Sequence, residues 1–180
     1  MEIRHATPAD LPRIMEIYAE GRAYMRENGN HEQWNGAYPS EEIVREDLAA
    51  DRFYVVCEGE EIFGVFCYFF GDDPTYAKIN GAWLNDAPYG VIHRIAVGAN
   101  AHRRGIASRC FAFGYERCGN LKIDTHRDNF PMQRSLEKNG FRYCGVIYLE
   151  NGDPRMAYQK CEEAVAFACV SPLDIDFAGQ

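Results

Sequence analysis

The stretch that decides the fold is residues 91–107, VIHRIAVGANAHRRGIA. Its first part, Val91 to Val97, is rich in β-branched and apolar residues and is typical of a strand, whereas apolar residues recur at helical spacing from Gly105 onward. Small residues at Gly105 and Ala107 let backbone N–H groups approach an anion at the positive end of that helix. The segment therefore predicts a strand, a turn and a helix start that together form a phosphate cradle.

Basic side chains surround the predicted cradle, although the chain as a whole carries a formal net charge of −8. Arg103 and Arg104 can add charge-assisted hydrogen bonds to phosphate oxygens. A small basic spot on an acidic protein suits a small anionic ligand. It does not suit a nucleic-acid duplex, which needs a broad basic face to displace counterions. We therefore expect no nucleic-acid partner.

Strands and helices are predicted on both sides of this stretch. Helices are expected after Thr7 or Asp10, after Ser40, at Gly105, and after Asp128 or Asn129, where capping residues precede helical spacing. The remaining strands are predicted at Ile3 to His5, Arg52 to Cys57, Ile62 to Phe70, Leu121 to Thr125, Phe141 to Leu149 and Arg155 to Gln159. The fold class is therefore mixed α/β, with one domain over residues 1–160. Residues 161–180 form a tail without a predicted structure.

Composition places the chain among globular proteins. Of its 180 residues, 47% are hydrophobic and 26% are charged, which fits one domain with a proper core. The seven cysteines are odd in number and contain no C-x-x-C pair, so we expect reduced thiols, no zinc site and a cytoplasmic location. No run reaches the roughly 20 apolar residues of a membrane span, and no cluster has the ligand spacing of a metal site.

The cradle and the segments around it resemble the GNAT superfamily of acetyltransferases. The family signature is Gln or Arg, two residues, Gly, one residue, then Gly or Ala after a central strand; His102-Arg103-Arg104-Gly105-Ile106-Ala107 matches it except at His102. The resemblance covers roughly residues 1–160. It implies a mostly antiparallel, splayed sheet with flanking helices. It also implies transfer of an acetyl group from acetyl-CoA to a primary amine of a small molecule or peptide.

The resemblance further implies which residues bind acetyl-CoA. The pantetheine arm is expected along the strand Ile95 to Val97, and the pyrophosphate at the cradle. Asn129 is expected at the cofactor arm, and its alternative role is a plain helix N-cap. The full set of expected cofactor residues is Ile95, Ala96, Val97, His102, Arg103, Arg104, Gly105, Ile106, Ala107, Ser108 and Asn129.

His93 is the candidate general base. It lies two residues before Ile95 and so is expected on the same face of the strand, and an unperturbed imidazole, with a pKa of about 6.5, suits a base near neutrality. Leu136 stands where the family usually has a Tyr as general acid. The proton for the leaving thiolate is therefore expected from solvent or from one of four other groups, Tyr148, Tyr143, Tyr89 and Cys144.

The acceptor pocket is expected between two long loops, Gly29 to Pro39 and Gly71 to Tyr89, because long loops in compact domains are usually functional. The aromatic residues expected to line it are Trp34, Tyr38, Trp83 and Tyr89. The sequence is also compatible with a homodimer.

Two alternatives stay open at this level. A non-catalytic acyl-CoA-binding or partner-interaction module would keep the cradle but lack the acid, as Leu136 suggests. A Rossmann-type dinucleotide enzyme is disfavoured because the chain has no G-x-G-x-x-G stretch and its hairpins precede the core.

Overall fold

The computed structural model describes residues 1–162. Within them one eight-stranded sheet is flanked by four α-helices. The strands are β1 Glu2–His5, β2 Phe53–Glu58, β3 Glu61–Phe70, β4 Asn80–Gly81, β5 Gly90–Val97, β6 Asn120–Thr125, β7 Arg142–Tyr148 and β8 Pro154–Cys161. The helices are α1 Leu11–Glu27, α2 Glu41–Ala49, α3 Ile106–Cys118 and α4 Phe130–Lys138. Of the predicted tail, only Cys161, which ends β8, and Glu162 lie inside the described residues.

The sheet is splayed at its centre. The strand order is β1-β2-β3-β5-β6-β8-β7-β4, and every pairing is antiparallel except that of β5 with β6. That parallel pairing covers only Gly90 with Leu121 and Val91 with Lys122, so the two strands separate beyond Val91. The predicted mixed α/β class and the splayed, mostly antiparallel sheet are confirmed.

The first helix begins after Asp10. Pro12 occupies the second helical position, where its missing N–H would have no partner in any case. Residues Pro8–Asp10 form a separate 3-10 turn after Thr7. Of the two helix starts that the sequence left open, the structure has the later one.

Apolar residues on the two faces of the sheet form two large cores, and a third, smaller cluster lies around Tyr76 and Ile147. In β3, Val65 and Cys67 face α1 and α2, whereas Phe66 and Tyr68 face α3, as the alternation of a strand requires. Gly64 in the same strand allows α3 to approach closely, because an added Cβ there would collide with Ile106. Helix α3, which begins at the predicted cradle, thus packs directly on the sheet.

Candidate functional site

A cleft of about 550 Å³ runs along β5 and the start of α3. The structure brings together in its walls nearly all of the residues predicted to bind a cofactor: Ile95, Ala96, Val97, His102, Arg103, Gly105, Ile106, Ala107, Ser108 and Asn129. Beyond Val91 the edge of β5 that faces β6 has no strand partner within residues 1–162. Its backbone groups are therefore available to an extended ligand.

The turn before α3 has the backbone shape of an anion site. Arg103 and Gly105 have φ angles of 67° and 75°, in the left-handed region, and Gly105 is the N-cap of α3. The first N–H groups of a helix have no intrahelical partner and are free for a ligand. An added Cβ at Gly105 would meet nothing within 4 Å, so the space in front of the helix start is open.

Arg104 is the one predicted cofactor residue that the structure does not bring into the lining of this cleft. Its guanidinium lies 4.2 Å from the centre of the Phe63 ring, and its Nη2 lies 3.5 Å from Glu58 Oε2. Its backbone N–H donates to the Ala101 carbonyl. Attraction to the Phe63 ring on β3 and the Glu58 carboxylate on β2 holds the Arg104 side chain outside the lining of the cleft.

Other basic side chains in the cleft were missed by the sequence reasoning. Arg134 and Lys138, one helical turn apart on α4, line the cleft together with Arg103. His102, which departs from the family signature, packs on Tyr24 of α1 with ring centres 4.4 Å apart. The spacing of Arg134 and Lys138 was visible in the sequence, but only the packing of α4 shows that they face the cradle.

Asn129 caps α4 and also reaches the neighbouring loop. Its Oδ1 accepts a hydrogen bond from the Met132 N–H at 3.2 Å, and its Nδ2 donates to Gln33 Oε1 at 2.8 Å. Asn30 donates to the same Gln33 oxygen. The N-cap role expected for Asn129 is thus present, and the residue lies where the cleft meets a second cavity.

A β-bulge in β5 lies between the cleft and this second cavity. Arg94 has a φ of 51°, and β5 has an extra residue opposite the Val65–Cys67 segment of β3. The alternation used to place His93 and Ile95 on one face therefore fails. Ile95 packs in the core beneath α3, whereas His93 contacts Phe69 and Tyr76. Both residues nevertheless line the second cavity.

Contacts from two helices hold the bulge in place. Arg94 donates from Nε and Nη2 to Asp47 Oδ2 at 2.8 and 2.6 Å, and the Asp47 side chain is only 1% exposed. Arg52 pairs with the other Asp47 oxygen at 2.9 Å. The Tyr18 hydroxyl donates to the Arg94 carbonyl. A left-handed backbone is costly for a residue with a side chain, and these contacts offset that cost.

The second cavity, of about 440 Å³, contains His93 between two carboxylates. Nε2 of His93 lies 2.6 Å from Asp73 Oδ2, and Nδ1 lies 3.7 Å from Asp124 Oδ1. Burial alone would raise the pKa of Asp73, but hydrogen bonds from His93 and Thr75 outweigh it and lower that pKa to about 2. Because the ionised Asp73 only accepts, Nε2 carries a proton and Nδ1 is the nitrogen that can take one.

Asp73, Asp124 and Tyr76 were not predicted as site residues. The Tyr76 hydroxyl donates to Asp124 Oδ1 at 2.7 Å, and Asp73 is held by N–H and O–H donors of Thr75. Asp73 lies in a predicted loop and Asp124 in a predicted strand, 51 positions apart. No local sequence pattern joins them to His93.

Only half of the predicted aromatic pocket is present. Trp34 and Tyr38 line the cavity. Trp83 and Tyr89 do not, which corrects that expectation. Their rings cover the ammonium group of Lys122, which lies 4.2 and 3.7 Å from the two ring centres. Because Lys122 is almost fully buried, attraction to these rings compensates its charge and holds them away from the cavity.

None of the four candidates for a general acid lines either cavity. Tyr143 and Tyr148 are each 52% exposed on β7. The Tyr89 hydroxyl accepts from the Asp73 N–H, and the Cys144 thiol donates to the Arg142 carbonyl. Leu136, at the position of the family's usual acid, is fully buried in the core.

Within residues 1–162, no group of three or more His, Cys, Asp or Glu side chains is placed to hold a metal ion. In the same part of the chain, no helix combines the length and the apolar character that crossing a membrane requires.

The comparisons with known proteins agree with this architecture. The family model described as the acetyltransferase (GNAT) family matches residues 12–141. A GNAT-family acetyltransferase structure from Streptococcus agalactiae is 32% identical, with a TM-score of 0.79 over 90% of this chain and 95% of that chain. A GNAT-family structure from Bacillus cereus shares the fold at 20% identity, with a TM-score of 0.60 over 89% and 96% of the two chains. A search of curated proteins found no match. The length of the family match and the identity to the streptococcal structure show that this chain belongs to the GNAT family of acetyltransferases.

Proposed function

We propose that the protein transfers the acetyl group of acetyl-CoA to a primary amine of a small molecule or peptide. The observation that carries the proposal is the arrangement of two cavities that meet at β5: one with a free strand edge and an open helix start, the other with a histidine beside a carboxylate. The first fits an extended anionic cofactor and the second fits an amine that must lose a proton.

The residues present fit acetyl-CoA. Arg103, Arg134 and Lys138 supply positive charge near the open start of α3, where the pyrophosphate would lie. The free edge of β5 from Ile95 to Val97 offers N–H and C=O groups to the pantetheine arm. When bound, acetyl-CoA supplies an acetyl group activated as a thioester.

The chain's own residues then have three tasks. His93 takes a proton from the amine on Nδ1, while Asp73 fixes the tautomer through Nε2 and Asp124 faces the ring as it becomes positive. A backbone N–H of β5 near Ile95 stabilises the oxygen that gains negative charge. Solvent would supply the proton for the leaving thiolate, since none of the four candidate acids lines either cavity.

The direct test is thiol release from acetyl-CoA with a panel of primary amines, followed by mass spectrometry of the products. Release that depends on the amine, together with a product heavier by one acetyl group, supports the proposal. Leu136 in place of the usual acid favours a second candidate, a non-catalytic acyl-CoA-binding module. Tight CoA binding without turnover on the whole panel would establish that alternative.

Replacing Gly105 with glutamate is expected to weaken CoA binding at least about tenfold, because a carboxylate would enter the open space in front of α3 and repel phosphate. Isothermal calorimetry measures the change. Gly119→Glu is the matched control: it caps the other end of the same helix, has a φ of 62° and likewise has nothing within 4 Å of an added Cβ. Equal CoA affinity in both variants would remove the cradle from the cofactor site.

Replacing Asp73 with asparagine is expected to move the rising limb of the pH profile of kcat/KM to lower pH. The substitution keeps an acceptor for Nε2 but removes a negative charge that stabilises the protonated His93 ring. Because the pKa of Asp73 is about 2, this carboxylate does not itself titrate between pH 5 and 9. A limb at the wild-type position would show that Asp73 does not act on the group that titrates.

A further inference from the structure

The cavity that contains His93 has an excess of carboxylates. Four of its lining residues are acidic: Glu32, Asp73, Asp124 and Asp153. Of the arginines in its wall, Arg94 is paired with Asp47, which is not a lining residue. The other, Arg155, donates to the Pro154 carbonyl and lies 3.9 Å from Asp153. Negative charge in the cavity is therefore only partly balanced by the protein.

Two of the four carboxylates are already used beside His93, and two are not. Asp73 and Asp124 contact the imidazole or Tyr76. Glu32, on the loop before α2, accepts one long hydrogen bond of 3.4 Å from Asn35. Asp153, on the turn between β7 and β8, accepts from the Asn151 amide. Among the described residues Glu32 forms no ion pair, and Asp153 has only its 3.9 Å pair with Arg155, so both carboxylates can bind a positive group of a ligand.

A buried hydroxyl in the same cavity also lacks a partner. Thr125 lines the cavity and is 1% exposed, and its Oγ1 has no hydrogen-bond partner among residues 1–162. A buried polar atom without a partner is costly. The oxygen itself has almost no accessible surface, so a ligand with N–H donors would satisfy it once the Thr125 side chain turned toward the cavity.

The chemistry of the transfer selects among amine ligands. The attacking nitrogen must be neutral, but nearby carboxylates stabilise an ammonium ion. An acceptor with a single amine would therefore be held in its unreactive form. A second cationic group resolves the conflict, since it can occupy the carboxylate-rich wall while the first amine gives its proton to His93.

We infer that the acceptor carries a second cationic group besides the amine that is acetylated, and that Glu32 and Asp153 recognise that group. The inference rests on the proposed function for the position of the reacting amine. The inferred acceptors are diamines and similarly dibasic amines.

Matched acceptors test the inference. Putrescine, butylamine and γ-aminobutyrate have the same carbon chain and differ in whether the far end is cationic, apolar or anionic. We expect kcat/KM for putrescine to exceed that for butylamine about tenfold, with γ-aminobutyrate lowest. Equal values for putrescine and butylamine would overturn the inference.

Substitutions of Glu32 and Asp153 test where the second cationic group binds. Glu32→Gln and Asp153→Asn are each expected to lower the putrescine-to-butylamine ratio of kcat/KM about threefold, the size of a partly exposed ion pair. Glu42→Gln, at an exposed position of α2 outside the cavity, is the control and is expected to leave the ratio unchanged. A wild-type ratio in the double variant Glu32→Gln, Asp153→Asn would overturn the assignment.

Binding without turnover separates this inference from the proposed function. If no amine is acetylated, the proposed function fails, and the rise in melting temperature with putrescine relative to butylamine is measured instead. A larger rise in melting temperature with putrescine that is lost in the double variant would support a dibasic ligand even without acetylation. An equal rise, or none, would overturn it.

Discussion

Replacing His93 with alanine is expected to lower kcat by about 10²- to 10⁴-fold, the usual range for a general base. The variant should retain the affinity for acetyl-CoA, because His93 lies in the cavity beyond the bulge and not in the cofactor cleft. Steady-state kinetics with the best acceptor of the panel and calorimetry with CoA measure the two quantities separately.

His5→Ala provides the control for this variant. His5 is half exposed at the end of β1, pairs with Asp51 and lines neither cavity, so its removal should leave kcat unchanged. A His93→Ala enzyme that keeps more than about a third of the wild-type kcat would remove His93 from proton transfer. In that case solvent would be the base.

Replacing Asp47 with alanine is expected to lower the free energy of unfolding by about 3–5 kcal/mol, because it leaves the Arg94 guanidinium beneath α2 without its buried partner. The same change frees the left-handed bulge of β5, so the activity of the surviving folded protein should also fall. Urea unfolding followed by circular dichroism measures the stability.

The matched control for Asp47→Ala is Glu41→Ala in the same helix. Glu41 pairs with Arg45 across one turn, with both side chains more than half exposed, and such pairs contribute less than about 1 kcal/mol. Should Asp47→Ala not fold, Asp47→Asn keeps the shape of the side chain and is expected to show a smaller loss in the same direction. A loss below about 1 kcal/mol for Asp47→Ala would show that the ion pair does not stabilise the bulge.

The parts of the site that the sequence predicts well are those encoded locally. Gly105 marks a left-handed turn at a helix start, and Asn129 marks a helix cap, so the backbone of the cradle and the start of α4 follow from neighbouring residues alone. The spacing of strands and helices likewise predicts the sheet. Each of these features depends on interactions within a few positions of the chain.

The parts that the sequence does not predict depend on partners far along the chain. Arg104 was expected in the cleft, but Phe63 and Glu58 on other strands decide where its side chain lies. Trp83 and Tyr89 were expected in the acceptor pocket, but the buried charge of Lys122 holds them elsewhere.

The bulge at Arg94 is another feature that the sequence does not predict. A strand of β-branched residues predicts strict alternation, and nothing next to Arg94 indicates an extra residue in the pairing. Asp47 and Tyr18, which stabilise the bulge, come from two separate helices. The placement of His93 on the face of Ile95 failed for that reason, although both residues line the second cavity.

The splay between β5 and β6 has a consequence for how the protein avoids unwanted association. An unpaired strand edge on the surface of a sheet is a template on which another chain can add a strand and begin to aggregate. Here the unpaired edge of β5 lies in the middle of the sheet, between β3 and the diverging β6, with α1, α3 and α4 around it. Because strands of the same sheet flank this edge on both sides, it is less open to strand addition by another protein than an outer edge would be. The same opening therefore keeps backbone groups available for a small ligand and makes them less accessible to other proteins.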